Sequence, residues 1–287
     1  MRAWLLAGLA LAAVACSGGT AVRTDLAGAI DRAEPGAVLE LLPGTYQGPI
    51  VIDKPLTLIG TGGAVVSAPD AMPAVTIKET TGVILRDLAI EGGSSGVDVR
   101  RSEDVELDRV RVTHALWHGI HVQDSEVMIT DCHVASLRAS MPQGVEIVNS
   151  DSRPPSMVSG CVIVGPVLEG LVAHVSHVTF RDNIVTGATA RGVVITEMSD
   201  GVMDGNSVSN SAGSAYFCGD MSNCSIVGNA ATDMVTGDGR VSQRGHGVVV
   251  HGYSYAYIGG LSVVDIEGQD ILPMIGGYLL SEPPPYP

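Results

Sequence analysis

Lysine occurs in this chain only as Lys54 and Lys78, and 16 basic residues face 31 acidic ones, for a formal charge of −15. That balance repels phosphate backbones and anionic lipid surfaces, which excludes nucleic acid as a partner. It also supplies no basic groove of the kind that holds acidic polysaccharides. Phenylalanine and tryptophan are just as scarce, at two each, so the core cannot be built from large aromatic rings. Beyond the N-terminal stretch, no segment approaches the roughly 20 apolar residues of a membrane-spanning helix. No His or Cys spacing matches a zinc site. The chain is instead rich in glycine, 36 of 287 residues, and in Val, Ile and Ala, which suit a narrow stacked core.

One short phrase repeats from Gly96 to Val250: a small residue, an alternating strand, a polar corner, then a second strand and a turn. Its copies align at Gly96, Gly119, Gly144, Gly170, Gly192, Ala215 and Gly247. They lie roughly 20–30 residues apart, the period of a solenoid whose units stack on their neighbours. Period-2 alternation inside each copy, with no helical pattern between copies, predicts an all-β fold, a parallel β-helix. Ahead of it, Thr24–Ala33 spaces Leu26, Ala29, Ile30 and Ala33 along one helical face. A short helix there, with Thr24 as its N-cap, would close the open end of the stack.

Residues 1–15 join Arg2 to an unbroken apolar stretch and read as a secretory signal peptide. "AVAC" followed by "SGGT" resembles a bacterial lipobox, with Ala13 in place of the usual leucine, so Cys16 is the expected lipidation site. Residues 16–23 then form a tether, 24–272 the β-helix domain and 273–287 a proline-rich tail. The protein is expected to be exported to the bacterial cell envelope, at the outer membrane or in the periplasm, touching membrane only through its lipid.

Side chains two apart on a strand share a face, so Val97, Ile120, Val145, Leu171, Val193, Tyr216 and Val248 point inward. The residues between them form an outward column: Asp98, His121 and Glu146, then Val172, Val194, Phe217 and Val249. Four apolar side chains in a row form a strip that soluble proteins cover, here with the insertion before Gly247 or the tail around Tyr278–Leu280. In the second strand, Asn183, Asn206 and Asn229 form an inward amide ladder, and Cys132 and Cys161 occupy the same column on earlier turns. Adjacent strands are close enough for a Cys132–Cys161 disulfide, and Cys218 and Cys224 face one another across a corner as a second.

Asp98, His121 and Glu146 are the candidate catalytic residues. A carboxylate–imidazole–carboxylate ladder at strand spacing places a proton donor and an acceptor at neighbouring heights, with His121 as donor and Glu146 as acceptor. Arg100, His118, Gln123 and Gln143 stand beside them as binding residues, and Trp117 offers a stacking surface. Further along the same two rows come His174, Glu169, Arg191 and His246. No cofactor is expected, although two carboxylates and one imidazole also suit a divalent cation.

The N-terminal turns, "VIDKPLTLIGTGGAVV" above all, resemble those of the right-handed parallel β-helix superfamily, which includes pectate-lyase-like and NosD-like proteins. "RGHG" at 244–247 is similar to one motif of polygalacturonase-type glycosidases, whose paired aspartates and Arg-x-Lys have no counterpart here. The Asp-Pro-His-Asp signature of mannuronan epimerases is also missing. Without a complete catalytic motif, the chain is expected to be a non-catalytic scaffold that binds glycan or an envelope protein. The alternative is a carbohydrate-active lyase, hydrolase or epimerase using the Asp/His/Glu ladder on a neutral or weakly charged glycan. A lesser alternative, implied by the NosD-like resemblance, is a metal-maturation accessory with His118 and His121 at copper.

Overall fold

The computed structural model describes residues 19–151, 154–237 and 240–283; the expected signal peptide and Cys16 lie outside the described residues. The chain winds as a right-handed parallel β-solenoid. One face is a 12-stranded sheet with one strand from each turn, and a 17-stranded sheet covers the other two faces. These two merge because Val162–His174, Ile184–Thr196 and Ser207–Cys218 run unbroken from one face into the next.

The repeated glycine has a steric cause. A Cβ on Gly119 would lie 2.3 Å from Cγ1 of Val134 and 2.6 Å from the Gly144 carbonyl oxygen, and one on Gly96 would lie 2.2 Å from Cγ1 of Val112. The turn is so narrow there that only a missing side chain lets the β-branched residue of the facing strand fill the interior. Leu26 and Ile30 of the helix Leu26–Arg32 are buried in the same core and close its N-terminal end. Its N-cap is Asp25 rather than Thr24: the Asp25 carboxylate accepts from the Gly28 N–H at 2.9 Å.

The amide ladder forms as expected. Asn183 Nδ2 donates to Asn206 Oδ1 at 2.9 Å, and Asn206 Nδ2 donates to Asn229 Oδ1 at 3.0 Å. Cys161 N–H enters it by donating to Asn183 Oδ1 at 2.9 Å. Cys218 and Cys224 are bonded, but Cys132 and Cys161 are free thiols, so the second expected disulfide is absent. Parallel stacking makes the two side chains point the same way instead of toward one another. Each thiol stands in for an asparagine of the ladder. Cys161 Sγ accepts from the Cys132 N–H at 3.3 Å, and Cys132 Sγ donates to the Thr130 carbonyl at 3.3 Å. The contact with Cys161, reinforced by burial, pushes the Cys132 thiol up and keeps it protonated.

The outward apolar strip is closed, though not by the tail around Tyr278–Leu280. Val172, Val194, Phe217 and Val249 form a second buried cluster, and Leu272 and Met274 of the following turn pack against it. Tyr278–Leu280 instead pairs with Tyr255–Tyr257 on the 12-stranded face, so strand pairing continues beyond the expected boundary at 272. At the corner that ends each strand of the outward column, the chain turns through a left-handed residue. Arg101, Asp124, Asn149, Val175, Met198, Met221 and Tyr253 all have positive φ there.

Candidate active site

The register places the three candidate catalytic residues as expected: Asp98 pairs with His121, and His121 with Glu146. Inter-strand hydrogen bonding at roughly 4.7–4.9 Å spacing holds their backbones at fixed heights. Their setting differs from the exposed face that outward positions imply. The Asp98 side chain is only 3% exposed, and those of His121 and Glu146 are 16% and 15% exposed.

Asp98 is the anchor. Arg100 Nε donates to its Oδ2 at 2.7 Å, and His121 Nδ1 lies 2.7 Å from its Oδ1. Burial pushes the Asp98 carboxyl up, but the hydrogen bonds from His121 and Arg100 outweigh it and hold the group below the ordinary carboxylate range. A carboxylate accepts only, so His121 Nδ1 carries its proton toward Asp98. The other ring nitrogen, Nε2, then faces Glu146 Oε2 at 3.6 Å.

Glu146 sits among three imidazoles. His118 Nε2 lies 3.1 Å from Oε2, His121 Nε2 lies 3.6 Å from the same oxygen, and His174 Nε2 lies 3.8 Å from Oε1. Burial again pushes the carboxyl up, and the hydrogen bond and charge of His118, with the charges of His121 and His174, bring it below its ordinary value. His118 has both nitrogens engaged, since Nδ1 lies 3.2 Å from Ser95 Oγ. It therefore positions Glu146 and has no nitrogen left for a substrate.

The remaining binding candidates fall less neatly. Gln143 gives its amide to Glu169 at 3.1 Å, and Glu169 pairs with Arg191 Nη2 at 2.5 Å. Arg191 lies over the Phe217 ring, 4.5 Å from its centroid, so this row leads into the apolar cluster. Gln123 is half-buried in the row after Arg100, and Trp117 is exposed just ahead of His118. Sequence reasoning placed His174 in that row without giving it a role, and it missed Glu197. His174 reaches Glu146 because it lies two residues past Val172, on the same face of the next turn.

Among the described residues, no group of three or more His, Cys, Asp and Glu side chains is arranged to hold a metal ion. Asp98 meets Arg100 and His121 through its two oxygens, which leaves the ladder poorly suited to a divalent cation. Shallow surface hollows lie elsewhere, one against the N-terminal helix and others along the Glu103–Asp124 corner. The site is a row of side chains along the outer face of the sheet, none of the three more than 16% exposed.

The family profile described as "Right handed beta helix region" matches residues 73–231 and 118–264, together more than half of the chain. No curated protein matches the sequence. Among solved structures, an alginate lyase from Paenibacillus sp. str. FPU-7 is similar at TM-score 0.71 and 16% identity, over 91% of this chain and 99% of its own. Pectate lyase Pel9A is similar at TM-score 0.54 and 13% identity, over 88% of this chain and 80% of its own. The catalytic domain of a GH87 alpha-1,3-glucanase, in complex with nigerose, is similar at TM-score 0.59 and 10% identity, over 88% and 61%. At these identities the likeness establishes the fold. These neighbours are polysaccharide lyases and glycoside hydrolases, which overturns the expectation of a non-catalytic scaffold.

Proposed function

This chain belongs to the right-handed β-helix family, and we propose that it is a carbohydrate-active enzyme that cleaves a uronate-containing glycan by β-elimination. The observation that carries this reading is the grip of buried Asp98 on His121 Nδ1 at 2.7 Å, which leaves Nε2, on the Glu146 side, as the base. Glycoside hydrolysis uses two reachable carboxylates. Here only Glu146 of the ladder is reachable, because Asp98 is closed off and engaged by Arg100 and His121.

In the proposed step, His121 Nε2 takes the proton next to the uronate carboxyl, and the C–H electrons form the C=C bond. The neighbouring C–O bond breaks, and the leaving oxygen takes a proton from water, since His118 is occupied by Ser95 and Glu146. Arg100 gives Nε–H to Asp98 and is half exposed, which leaves its other donors for the substrate carboxylate. The net charge of −15 favours a glycan in which uronates alternate with neutral sugars over a polyuronate. Export and lipidation at Cys16 belong to the same proposal, and the acylated mass of membrane-fraction protein tests them.

The test of the reaction is a panel of hyaluronan, chondroitin, glucuronoxylan, alginate and pectate, followed by the ultraviolet absorbance of unsaturated uronate. The expected result is absorbance with at least one polymer, falling about 10²–10⁴-fold in His121→Ala, the usual cost of a lost acid–base group. New reducing ends without absorbance would make the enzyme a hydrolase. A fully active His121→Ala protein would remove the ladder from the chemistry.

A further inference from the structure

Acid and imidazole alternate beyond the three expected residues. Asp98, His121, Glu146, His174 and Glu197 lie on five successive turns, and each approaches the next. Asp98 Oδ1 to His121 Nδ1 is 2.7 Å and His121 Nε2 to Glu146 Oε2 is 3.6 Å. Glu146 Oε1 to His174 Nε2 is 3.8 Å, and His174 Nδ1 to Glu197 Oε2 is 3.4 Å. The outward column turns apolar at Val172, and at that turn the polar series steps two residues along the strand to His174.

Three features distinguish this series from a row of surface ion pairs. Glu146 meets His121 through Oε2 and His174 through Oε1, so it joins the two imidazoles through opposite oxygens. His174 Nδ1 is shut off from solvent and has no hydrogen-bond partner, with Glu197 the acid nearest to complete it. Exposure also rises along the series, from 3% at Asp98 through 15–19% in the middle to 56% at Glu197. One end is closed and the other opens to water.

We propose that His174 and Glu197 form a proton exit, which carries to solvent the proton that His121 takes from the substrate. The inference rests on the reading of His121 as the base. Elimination leaves His121 with an extra proton, while water supplies the one on the leaving oxygen, so the base must discharge before the next turnover. Of the four approaches, those at 3.6 and 3.8 Å exceed hydrogen-bond length and the one at 3.4 Å is out of line, and a small side-chain rotation or one water closes each. The N–H bond at His121 Nε2 breaks as an O–H bond forms on Glu146. Rotation of that carboxyl exchanges its oxygens and presents the proton to His174 Nε2. As Nε2 gains it, His174 Nδ1 releases its own proton to Glu197, which passes it to water. One proton leaves per turnover, and no electrons change hands.

The experiment compares the full chain with Glu197→Gln and His174→Gln on the panel polymer that turns over fastest. Glu197 is exposed, so its replacement leaves the fold in place even if the His174 variant is unstable. The expected result is a fall in kcat of about a hundredfold, the low end for a lost proton-transfer group, with KM unchanged. Rising imidazole buffer should restore the variants' rate and leave the parent's alone. Parent-like kcat, or a loss that buffer does not relieve, overturns the exit.

A second measurement needs no substrate: exchange with water of the proton on His121 Nε2 in the imidazolium form of the ring, followed by NMR in the same proteins. It should slow at least tenfold in Glu197→Gln, and an unchanged rate overturns the exit. If exchange slows while the parent degrades no polymer, the exit stands and the glycan reading is what fails.

Discussion

Asp98, His121 and Glu146 share one column, one register and one backbone conformation with Val172, Val194, Phe217 and Val249, yet the two halves are held by different forces. The first half is tied by charge-assisted contacts that fix two anionic carboxylates against imidazoles and a guanidinium. The second is a closed apolar cluster capped by Leu272 and Met274. Each apolar side chain fully removed from water contributes about 1.5–3 kcal/mol at any pH. The polar half contributes less in net terms, because desolvation offsets much of the attraction, and its contribution depends on protonation. In a solenoid, register decides where a side chain points, and the residue type alone decides whether that place is a site or a seal.

The most severe way to break the contrast is to write the chemistry of the first half into the second. Val194→Asp would bury a carboxylate with no partner, at a cost of about 3–5 kcal/mol. The expected loss in melting temperature by circular dichroism is roughly 10 °C for a chain of this size. A parent-like melting curve would mean that the apolar half is not sealed.

A milder test uses acid to separate the halves. Asp98 and Glu146 both have folded values below their ordinary ones, so the stability they add is complete above the ordinary carboxylate range. It is lost as pH falls through and below that range, from about pH 4 downward. Hydrogen exchange near pH 3 should therefore show the strands Ser95–Arg100, His118–Gln123 and Gln143–Val148 opening faster relative to pH 6. Ile184–Thr196 and Arg244–Val250 should hold their protection. Equal loosening of both sets would show that the ion pairs add nothing specific to their half.

Most of this frame was legible in the chain. The glycines at Gly96, Gly119 and Gly144 mark a place where no Cβ fits, so they align the turns and bring Asp98, His121 and Glu146 into one column. Burial of that column was not legible, because alternation gives the face of a residue and says nothing of what the neighbouring turns do to its exposure. The same gap hid the seal over Phe217: the tail has the right composition, but Tyr278–Leu280 finds unpaired strand edge on another face. Cys132 and Cys161 are close enough for a bond by strand spacing alone, and only the direction of their side chains shows that each replaces an asparagine. His174 and Glu197 enter the site by a step across columns, which a reading down one column does not see. The chemistry was least legible of all, since the repeat specifies a scaffold on which many activities are built.

The left-handed corners also differ between the two halves. Beside the polar half, the corner residues are Arg101, Asp124 and Asn149. Beside the apolar half they are Val175, Met198, Met221 and Tyr253, between 38% and 63% exposed, with φ from 48° to 64°. A side chain with a Cβ costs roughly 1–2 kcal/mol in that region, and asparagine costs least among non-glycine residues. Val175 is β-branched and 38% exposed, so its partial burial offsets only part of that strain. Val175→Asn should raise stability by about 1 kcal/mol, a gain of about 2–4 °C in melting temperature, with turnover unchanged. The fold thus carries a row of positions where thermostability can be added one turn at a time, outside both the core and the Asp98–His121–Glu146 ladder.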